Sequence, residues 1–308
     1  MRLLRSTQEL PNGHPAVCLA LGFFDGVHLG HQQVIRQTIN DAERLEAVSI
    51  VVTFDRHPNH VVAPDRVPPL IYSLPQKIKV IGAFGPDFLL LQHFDEGFSR
   101  QPAREFIKHL VQDAGPVRSI CVGANFLFGY KRSGNVDLLR QFGRQAGFSV
   151  HGLSAVSLDR KVVSSTRVRE SIRTGDLDAA AQMLGRPYSL AGRVVRGDQL
   201  GRKLGFPTAN IETTGLVLPP NGVYAAHAAF RHAHCRAVVN IGYRPTLKEP
   251  SGPLRVEAHL LDFDGDLYDE ELEIIFIRRL RPEQQFASLT DLRMQIREDS
   301  EKARSILR

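Results

Sequence analysis

The chain has 308 residues, 43% apolar and 23% charged, the balance of a soluble globular protein large enough to bury a core without a disulfide or metal staple. Its three cysteines, Cys18, Cys121 and Cys235, are widely spaced and form no C-x-x-C pair, which excludes a disulfide framework and fits a reducing cytoplasm. The net charge of +6 comes without a dense Lys/Arg block or a nucleic-acid-binding motif, so it points to polyanionic small substrates and not to nucleic acid.

Near the start, Arg2 and Arg5 precede the apolar run "AVCLALGFF". Pro11, Asn12 and Gly13 separate the two, and no small-residue cleavage site precedes Asp25. The run therefore predicts a buried strand and not a signal peptide. No stretch approaches the ~18 apolar residues of a membrane span, so no membrane partner is expected.

A βα rhythm follows. "HQQVIRQTINDAERL" has Val34, Ile35, Ile39, Ala42 and Leu45 on a helical period, and "AVSIVVTF" is continuously apolar, as a strand buried on both faces would be. "PQKIKVIGAF" predicts a helix with Pro75 early in it, "DFLLLQ" a strand, "PAREFIKHLVQDA" a helix, "SICVG" a strand, "NVDLLRQFGRQA" a helix and "FSVHGL" a strand. Such alternation predicts a parallel sheet covered by helices. "SSTRVRESIRTGDLDAAAQML" reads as one or two helices closing this domain, residues 1–183.

The pattern changes near Leu184. "SLAGRVVRG", "GVYAAHAAF", "CRAVVNIG", "RVEAHLLDF" and "LEIIFI" are short β runs separated by Gly, Pro and Asn. They predict an antiparallel barrel or sandwich over residues 184–308. A final helix starts at Ser288, with Asp291 three residues later as in a capping box, and carries the stripe Leu289, Leu292, Ile296, Ala303 and Ile306.

The first chemical motif is "GFFDGVHLGH", Gly22 to His31. It joins a strand to a helix, the place where open α/β sheets bind phosphates, yet it has neither a P-loop lysine nor G-x-G-x-x-G spacing. His28 and His31 offer imidazoles to phosphate oxygens, Gly26 and Gly30 allow close backbone approach, and Asp25 orients a neighbour or touches a nucleotide. A plain turn and a two-histidine metal site are the competing readings; the latter lacks a nearby third ligand. Later, "VVSSTRVRESI" supplies Ser164, Ser165, Thr166 and Arg169 where a helix begins, as caps or as polyphosphate contacts. "VGANFLFG" places Asn125 at another strand end.

The second motif is "GDQLGRKLGFPTANI". Its glycines bring backbone amides near phosphate, Lys203 adds a charge, and Thr208 and Asn210 offer hard oxygens suited to Mg²⁺. A surface loop running into a strand is the alternative. In "RVEAHLLDF", alternation puts Arg255, Glu257, His259 and Leu261 on one face. A carboxylate at mid-strand is a candidate acceptor for a substrate hydroxyl proton, or an exposed, salt-bridged glutamate.

Together these strings closely resemble the bacterial bifunctional riboflavin kinase/FMN adenylyltransferase family, the FAD synthetases, over essentially the whole chain. "GFFDGVHLGH", "TFDRHP", "VGANFLFG" and "SSTRVR" resemble the adenylyltransferase half; "LGRPYSLAGRVVRGD", "GRKLGFPTANI", "PPNGVYA", "NIGYRPT", "VEAHLLDFDGDLY" and "LRPEQQF" resemble the kinase half. The resemblance implies a Rossmann-like nucleotidyltransferase α/β domain, then a six-stranded antiparallel split β-barrel with a terminal helix. It implies ATP, riboflavin, FMN and FAD as substrates and products, with Mg²⁺ as cofactor. Glu257 would be the general base, and Thr208 and Asn210 would hold metal and phosphate, with Gly201, Lys203, Gly205 and Pro207 in the same loop. His28 and His31 would bind phosphates beside Gly22, Phe23, Phe24, Asp25, Gly26 and Gly30. Asn125 would position FMN, and Ser164, Ser165, Thr166 and Arg169 would contact ATP. Flavoproteins would receive the FAD, and the chain would be a cytoplasmic monomer or weak oligomer. Three positions depart from the pattern: Asp55-Arg56 stands for Glu-Pro, Leu127 for arginine, and Asp269 for glycine.

Two strings imitate metal sites. "DFDGDLYDEELE" spaces acids like a calcium loop but has Leu267 where that loop needs glycine. "RHAHC" brings His232, His234 and Cys235 together, most simply as a turn between strands.

Overall fold

In a computed structural model of the chain, residues 1–11, 13–197, 200–231, 233–243 and 254–307 are described, Leu200 and Lys203 by their backbone alone. His232 and the Arg-Pro-Thr end of "NIGYRPT" lie outside the described residues. Contacts divide the chain into two units, Met1–Leu70 with Leu74–Ser165, and Ile71–Ser73 with Thr166–Arg308.

The first unit is built on six parallel strands: β1 (Arg2–Leu4), β2 (Val17–Leu21), β3 (Val48–Phe54), β4 (Phe88–Gln92), β5 (Val117–Gly123) and β6 (Ser149–Leu153), ordered β1-β4-β3-β2-β5-β6. Helices α1 (Leu29–Arg44), α2 (Asn59–Val62), α3 (Leu74–Gly82), α4 (Glu96–Ser99), α5 (Ala103–Asp113) and α6 (Val136–Ala146) connect them. Every residue of β2 is buried. On one side of the sheet, Ala20, Val51, Leu89 and Cys121 pack with Val34 and Ile35 of α1 and Ile81 of α3. On the other, Leu19, Ile50, Leu90 and Ile120 pack with Ile107 of α5 and Leu139 of α6. The continuous apolar runs in the sequence follow from this two-sided burial. All three cysteines are free, and burial pushes the Cys121 thiol up to about 12, which leaves it inert. The short edge strand β1 and the hairpin β7 (Ser157–Leu158) with β8 (Lys161–Val162) add to the elements read from the sequence.

The chain leads from β2 to β3 and β4 on one side and then crosses to β5 and β6 on the other. The strand order thus reverses between β2 and β5, and open α/β sheets bind ligands in the crevice beyond such a reversal. The loops that leave β2 and β5 there are the ones containing His28 and Asn125.

The "SSTRVR…" segment forms two helices, α7 (Ser165–Thr174) and α8 (Leu177–Leu184), which fall in the second unit from Thr166 onward. That unit closes into an antiparallel barrel, not a sandwich: β9 (Ser189–Val195), β10 (Ala209–Ile211), β11 (Gly222–Phe230), β12 (Ala233–Gly242), β13 (Arg255–Leu260) and β14 (Glu271–Arg281), ordered β10-β13-β12-β11-β14-β9 with β9 pairing to β10. The five-residue helix α9 (Leu200–Leu204) precedes β10. One face of the strands, including Tyr224, Val239, Val256, Ala258 and Phe276, is buried. On the other face, Val223, Ala225 and Val238 pack under Ala303 and Leu307 at the end of α10 (Leu289–Ile306). Ser288 caps α10 by accepting from the Asp291 N–H at 3.1 Å. The expected apolar stripe holds at Ala303 and Ile306, is half-buried at Leu292 and Ile296, and fails at Leu289, which is 61% exposed. Among the described residues no helix is long and apolar enough to cross a membrane.

Arg281 at the end of β14 donates to both carboxylate oxygens of the buried Asp299 on α10, at 3.1 Å to Oδ1 and 2.8 Å to Oδ2. Removing one member of such a pair strands the other. Asp299→Ala should therefore lower the unfolding free energy of the second unit by about 3 kcal/mol in urea titration; a loss below about 0.5 kcal/mol would show that the pair does not fasten the helix.

Candidate functional site

Leaving β2, the backbone turns left-handed at Phe24 (φ 54°), Gly26 (φ 73°) and Val27 (φ 43°) before α1 begins. A β-branched residue at such a φ is a genuine strain, tolerated only where surrounding bonds over-determine it. Those bonds are present. Gln32 Nε2 donates to the Val27 carbonyl at 2.9 Å, and Thr53 Oγ1 donates to the Phe23 carbonyl at 2.9 Å. Asp25, Gly26, Val27 and His28 are buried, while Gly22, Phe23, Gly30 and His31 are half-buried.

His28 caps α1, its Nδ1 accepting from the His31 N–H at 3.4 Å. The two imidazoles stack with centroids 3.6 Å apart and planes at 19°, and the Phe24 ring meets His31 edge-on at 5.3 Å. Burial first, then the neighbouring His28 and Lys77, holds the His31 pKa well below its ordinary 6.5. His31 is therefore a neutral imidazole at pH 7, and its buried Nδ1 has no hydrogen-bond partner among the described residues. A neutral imidazole at a helix N-terminus can donate one N–H to an anion while the helix amides add partial positive charge.

The far end of the first motif set reaches this loop. Ser165 Oγ, at the start of α7, donates to the Asp25 carbonyl at 3.0 Å, across 140 residues of chain. Ser164 precedes it, half-buried. Thr166, exposed, and Arg169, half-buried, belong to the second unit.

Asn125 lies beyond β5 on a cavity of about 390 Å³, lined also by Phe126, Leu127, Asn135, Val136 and Arg140. That volume suits a ligand of drug-like size. Leu127, 50% exposed, presents an apolar side chain to the cavity. At the end of β3, Asp55 accepts from His93 Nδ1 at 2.6 Å and from the Phe94 N–H at 3.1 Å. Burial raises its pKa, but these bonds and the charges of His93 and Arg56 outweigh it and hold the carboxyl below its usual value.

In the barrel, Asn210 of β10 pairs across the sheet with Glu257 of β13, and Glu257 pairs in turn with Asn240 of β12. Residues directly opposite point to the same side, so Asn210, Glu257 and Asn240 form a row. Alternation along β13 holds as the sequence predicts: Val256, Ala258 and Leu260 are buried, and Arg255, Glu257 and His259 are half-buried. Close packing fixes the loop before β10. A Cβ on Gly197 would come within 2.2 Å of Asn210 Nδ2, and one on Gly201 within 2.4 Å of the Phe206 carbonyl and 3.2 Å of Thr208 Oγ1. His259 Nδ1 lies 2.9 Å from the Pro207 carbonyl. Gly205 and Pro207 are exposed, Thr208 and Asn210 half-buried, and the Lys203 side chain lies outside the described residues. In the imitation calcium loop Asp262 is engaged in ion pairs, with Arg236 at 2.9 Å and with Arg304 of α10, and Glu273 accepts from Ser189 Oγ at 2.9 Å.

Two residues to which the motifs assign no role join these sites, although Asn240 opens the string "NIGYRPT". Asn240 sits in the half-buried row beside Glu257, and its signal in the sequence is an amide interrupting the run "AVVNIG". Lys77 on α3 is buried against the loop leaving β2; in sequence it is one lysine of an amphipathic helix, with no signal to separate it from a solvated face.

His31 titrates near 6.5 in the unfolded chain and well below that in the folded unit. Between those values the unfolded chain holds more protons, so stability falls as pH falls. Wild-type protein should lose up to about 1.4 kcal/mol per pH unit below pH 6.5 that His31→Gln does not lose. Equal acid slopes for the two proteins in chemical unfolding would contradict the buried neutral imidazole.

The FAD synthetase family model matches residues 11–167 and the riboflavin kinase family model residues 184–307. The bifunctional riboflavin kinase/FMN adenylyltransferase of Pseudomonas fluorescens is 37% identical over 306 residues, covering 99% of this chain and 98% of the relative. That of Escherichia coli K12 is 34% identical over 306 residues, covering 99% and 97%. A crystal structure from Streptococcus pneumoniae, described as a macrolide-efflux protein, is similar over 98% of both chains with a TM-score of 0.81 and 26% identity. With both matches in this order along one chain, the protein belongs to the bifunctional riboflavin kinase/FMN adenylyltransferase family.

Proposed function

We propose that residues 184–308 transfer the γ-phosphate of ATP to riboflavin, making FMN, and that residues 1–183 join FMN to the adenylyl group of a second ATP, making FAD and pyrophosphate. The observation that carries this reading is the pair of family matches, one in each half of a single chain.

In the adenylyl step a phosphate oxygen of FMN attacks the α-phosphorus of ATP and the bond to pyrophosphate breaks. Charge builds on the departing oxygens. His28 and His31 donate to them in this reading, which their stacking at the N-terminus of α1 supports. Gly22, Phe23, Phe24, Asp25, Gly26 and Gly30 shape the surrounding loop, and Ser164, Ser165, Thr166 and Arg169 take the nucleotide phosphates. Asn125 and its cavity receive the flavin end of FMN.

In the kinase step the terminal ribityl hydroxyl attacks the γ-phosphorus, the bond between that phosphorus and the bridging oxygen breaks to release ADP, and Glu257 takes the hydroxyl proton. Thr208 and Asn210 offer neutral oxygens of the hard kind that Mg²⁺ prefers, a donor set that leaves the ion's remaining positions to phosphate and water. The ion, when bound, neutralises charge on the triphosphate. Gly201, Lys203, Gly205 and Pro207 belong to the loop that covers the phosphates, and Asn240 stands opposite Glu257 on the strand away from Asn210. The chain works in the cytoplasm as a monomer or weak oligomer, and its FAD passes to flavoproteins.

Two variants test the division of labour. Glu257→Gln should lower riboflavin phosphorylation by about 10²–10⁴-fold and leave FMN-to-FAD conversion intact. His28→Ala should lower FAD formation by about 10²-fold and leave FMN formation intact. Chromatography of the flavins reads both. Wild-type protein that makes neither product from riboflavin, ATP and Mg²⁺ would overturn the proposal, and variants that each lose both activities would contradict separate sites.

A further inference from the structure

Lys77 belongs to neither motif set, yet its ammonium is buried beside the first site. Nζ donates to the Phe54 carbonyl at 2.8 Å, the Phe23 carbonyl at 3.3 Å and Thr53 Oγ1 at 3.3 Å, and lies 4.5 Å from the centroid of the Phe23 ring. These bonds use all three of its protons. Phe54 is the last residue of β3, and Phe23 is the second residue after β2. One side chain thus ties together the C-terminal ends of two adjacent parallel strands.

The place where it ties them matters. Phe23 immediately precedes the left-handed turn at Phe24, Gly26 and Val27, and that turn delivers His28 and His31 to the start of α1. A short, strained connection between a strand and a helix needs its entry point held. The Phe23 carbonyl is held twice, by Thr53 and by Lys77.

The charge has company on every side. Asp25 in the loop and Asp55 beyond β3 favour the ammonium, whereas burial disfavours it and brings its pKa down from 10.5 to about 8. Its charge works against protonation of His31, which stacks on His28. His57 meets the Phe23 ring edge-on at 4.9 Å. A methionine would fill the same space without the cost of burying an ion. The buried charge therefore answers to something other than packing.

We propose that Lys77 is a positioning residue of the adenylyl-transfer site: it fastens the loop that carries His28 and His31 to the end of β3 and sets a fixed positive charge at the strand ends where the nucleotide phosphates bind. This rests on the reading of the first unit as the FMN adenylyltransferase.

The test uses the full chain and two substitutions, Lys77→Met and Lys77→Arg. FMN-to-FAD conversion is measured from about pH 6.5 to about pH 9.5, with riboflavin phosphorylation in the same samples as the control for an intact chain. Wild-type adenylyl transfer should fall as pH rises through about 8, where the ammonium loses its proton. Lys77→Met should be about 10–100-fold slower at pH 7 and should lack that fall. Lys77→Arg should recover part of the rate and move the fall to higher pH, since guanidinium stays charged. Riboflavin phosphorylation should change less than about twofold in both variants. Wild-type rate and an unchanged alkaline fall in Lys77→Met would overturn the proposal. Should Lys77→Met fail to fold, an unshifted alkaline fall in Lys77→Arg would overturn it equally. A wild-type chain that makes FMN but no FAD would instead overturn the adenylyltransferase reading beneath it.

Discussion

The carbonyl of Phe23 accepts hydrogen bonds from Thr53 and from Lys77, and the first site depends on that anchorage. Beyond it the backbone takes positive φ angles at Phe24, Gly26 and Val27, conformations a free loop would abandon. With the entry held at Phe23 and the exit held by Gln32 on the Val27 carbonyl, the loop has one way to reach α1. Two imidazoles then stack at the helix N-terminus, and Ser165 closes on the Asp25 carbonyl from a distant part of the chain. The sheet supplies the foundation. β2 is buried along its length and lies next to the reversal of strand order, so a loop rising from its end opens onto the crevice between β2 and β5.

The barrel reaches its site by a different constraint. One face of its strands is filled by Tyr224, Phe276, Val239 and their neighbours, with the Tyr188 and Phe276 rings stacked at 5.8 Å. A closed barrel this small holds side chains and no ligand. Polar chemistry is displaced to the other face, where the row Asn210–Glu257–Asn240 runs across three strands. The approach to that row is narrow enough at Gly197 and Gly201 that a single added methyl group would collide with Asn210 or with the Phe206 carbonyl. The glycines of "GRKLGFPTAN" thus serve contact distance as well as amide exposure.

Most of this was legible in the sequence where the signal is local. Continuous apolar runs mark β2 and β3 because both faces are covered, and alternation in "RVEAHL" separates Glu257 from its buried neighbours. Asp269, read from the sequence as a departure from the family pattern, has φ 66°, a conformation aspartate tolerates better than most residues other than glycine. What the sequence could not carry is closure and long-range contact. β10 has three residues and too little pattern to announce a strand, yet its pairing with β9 and β13 closes the barrel. The bond from Ser165 to Asp25, the Asn240 neighbour of Glu257 and the burial of Lys77 are products of folding between distant segments. Leu289 shows the converse. Its periodicity is right for a helix, but periodicity does not say which turns of the helix are covered.

The two transfers proposed for this chain attack different phosphorus atoms of ATP. Feeding one preparation with riboflavin and ATP labelled at either the γ- or the α-phosphorus, and locating the label in the products, separates them. γ-Label should appear in the FMN phosphate and α-label only in the adenylyl phosphate of FAD, with pyrophosphate released. Absence of γ-label from FMN, or of α-label from FAD, would contradict the proposed transfers.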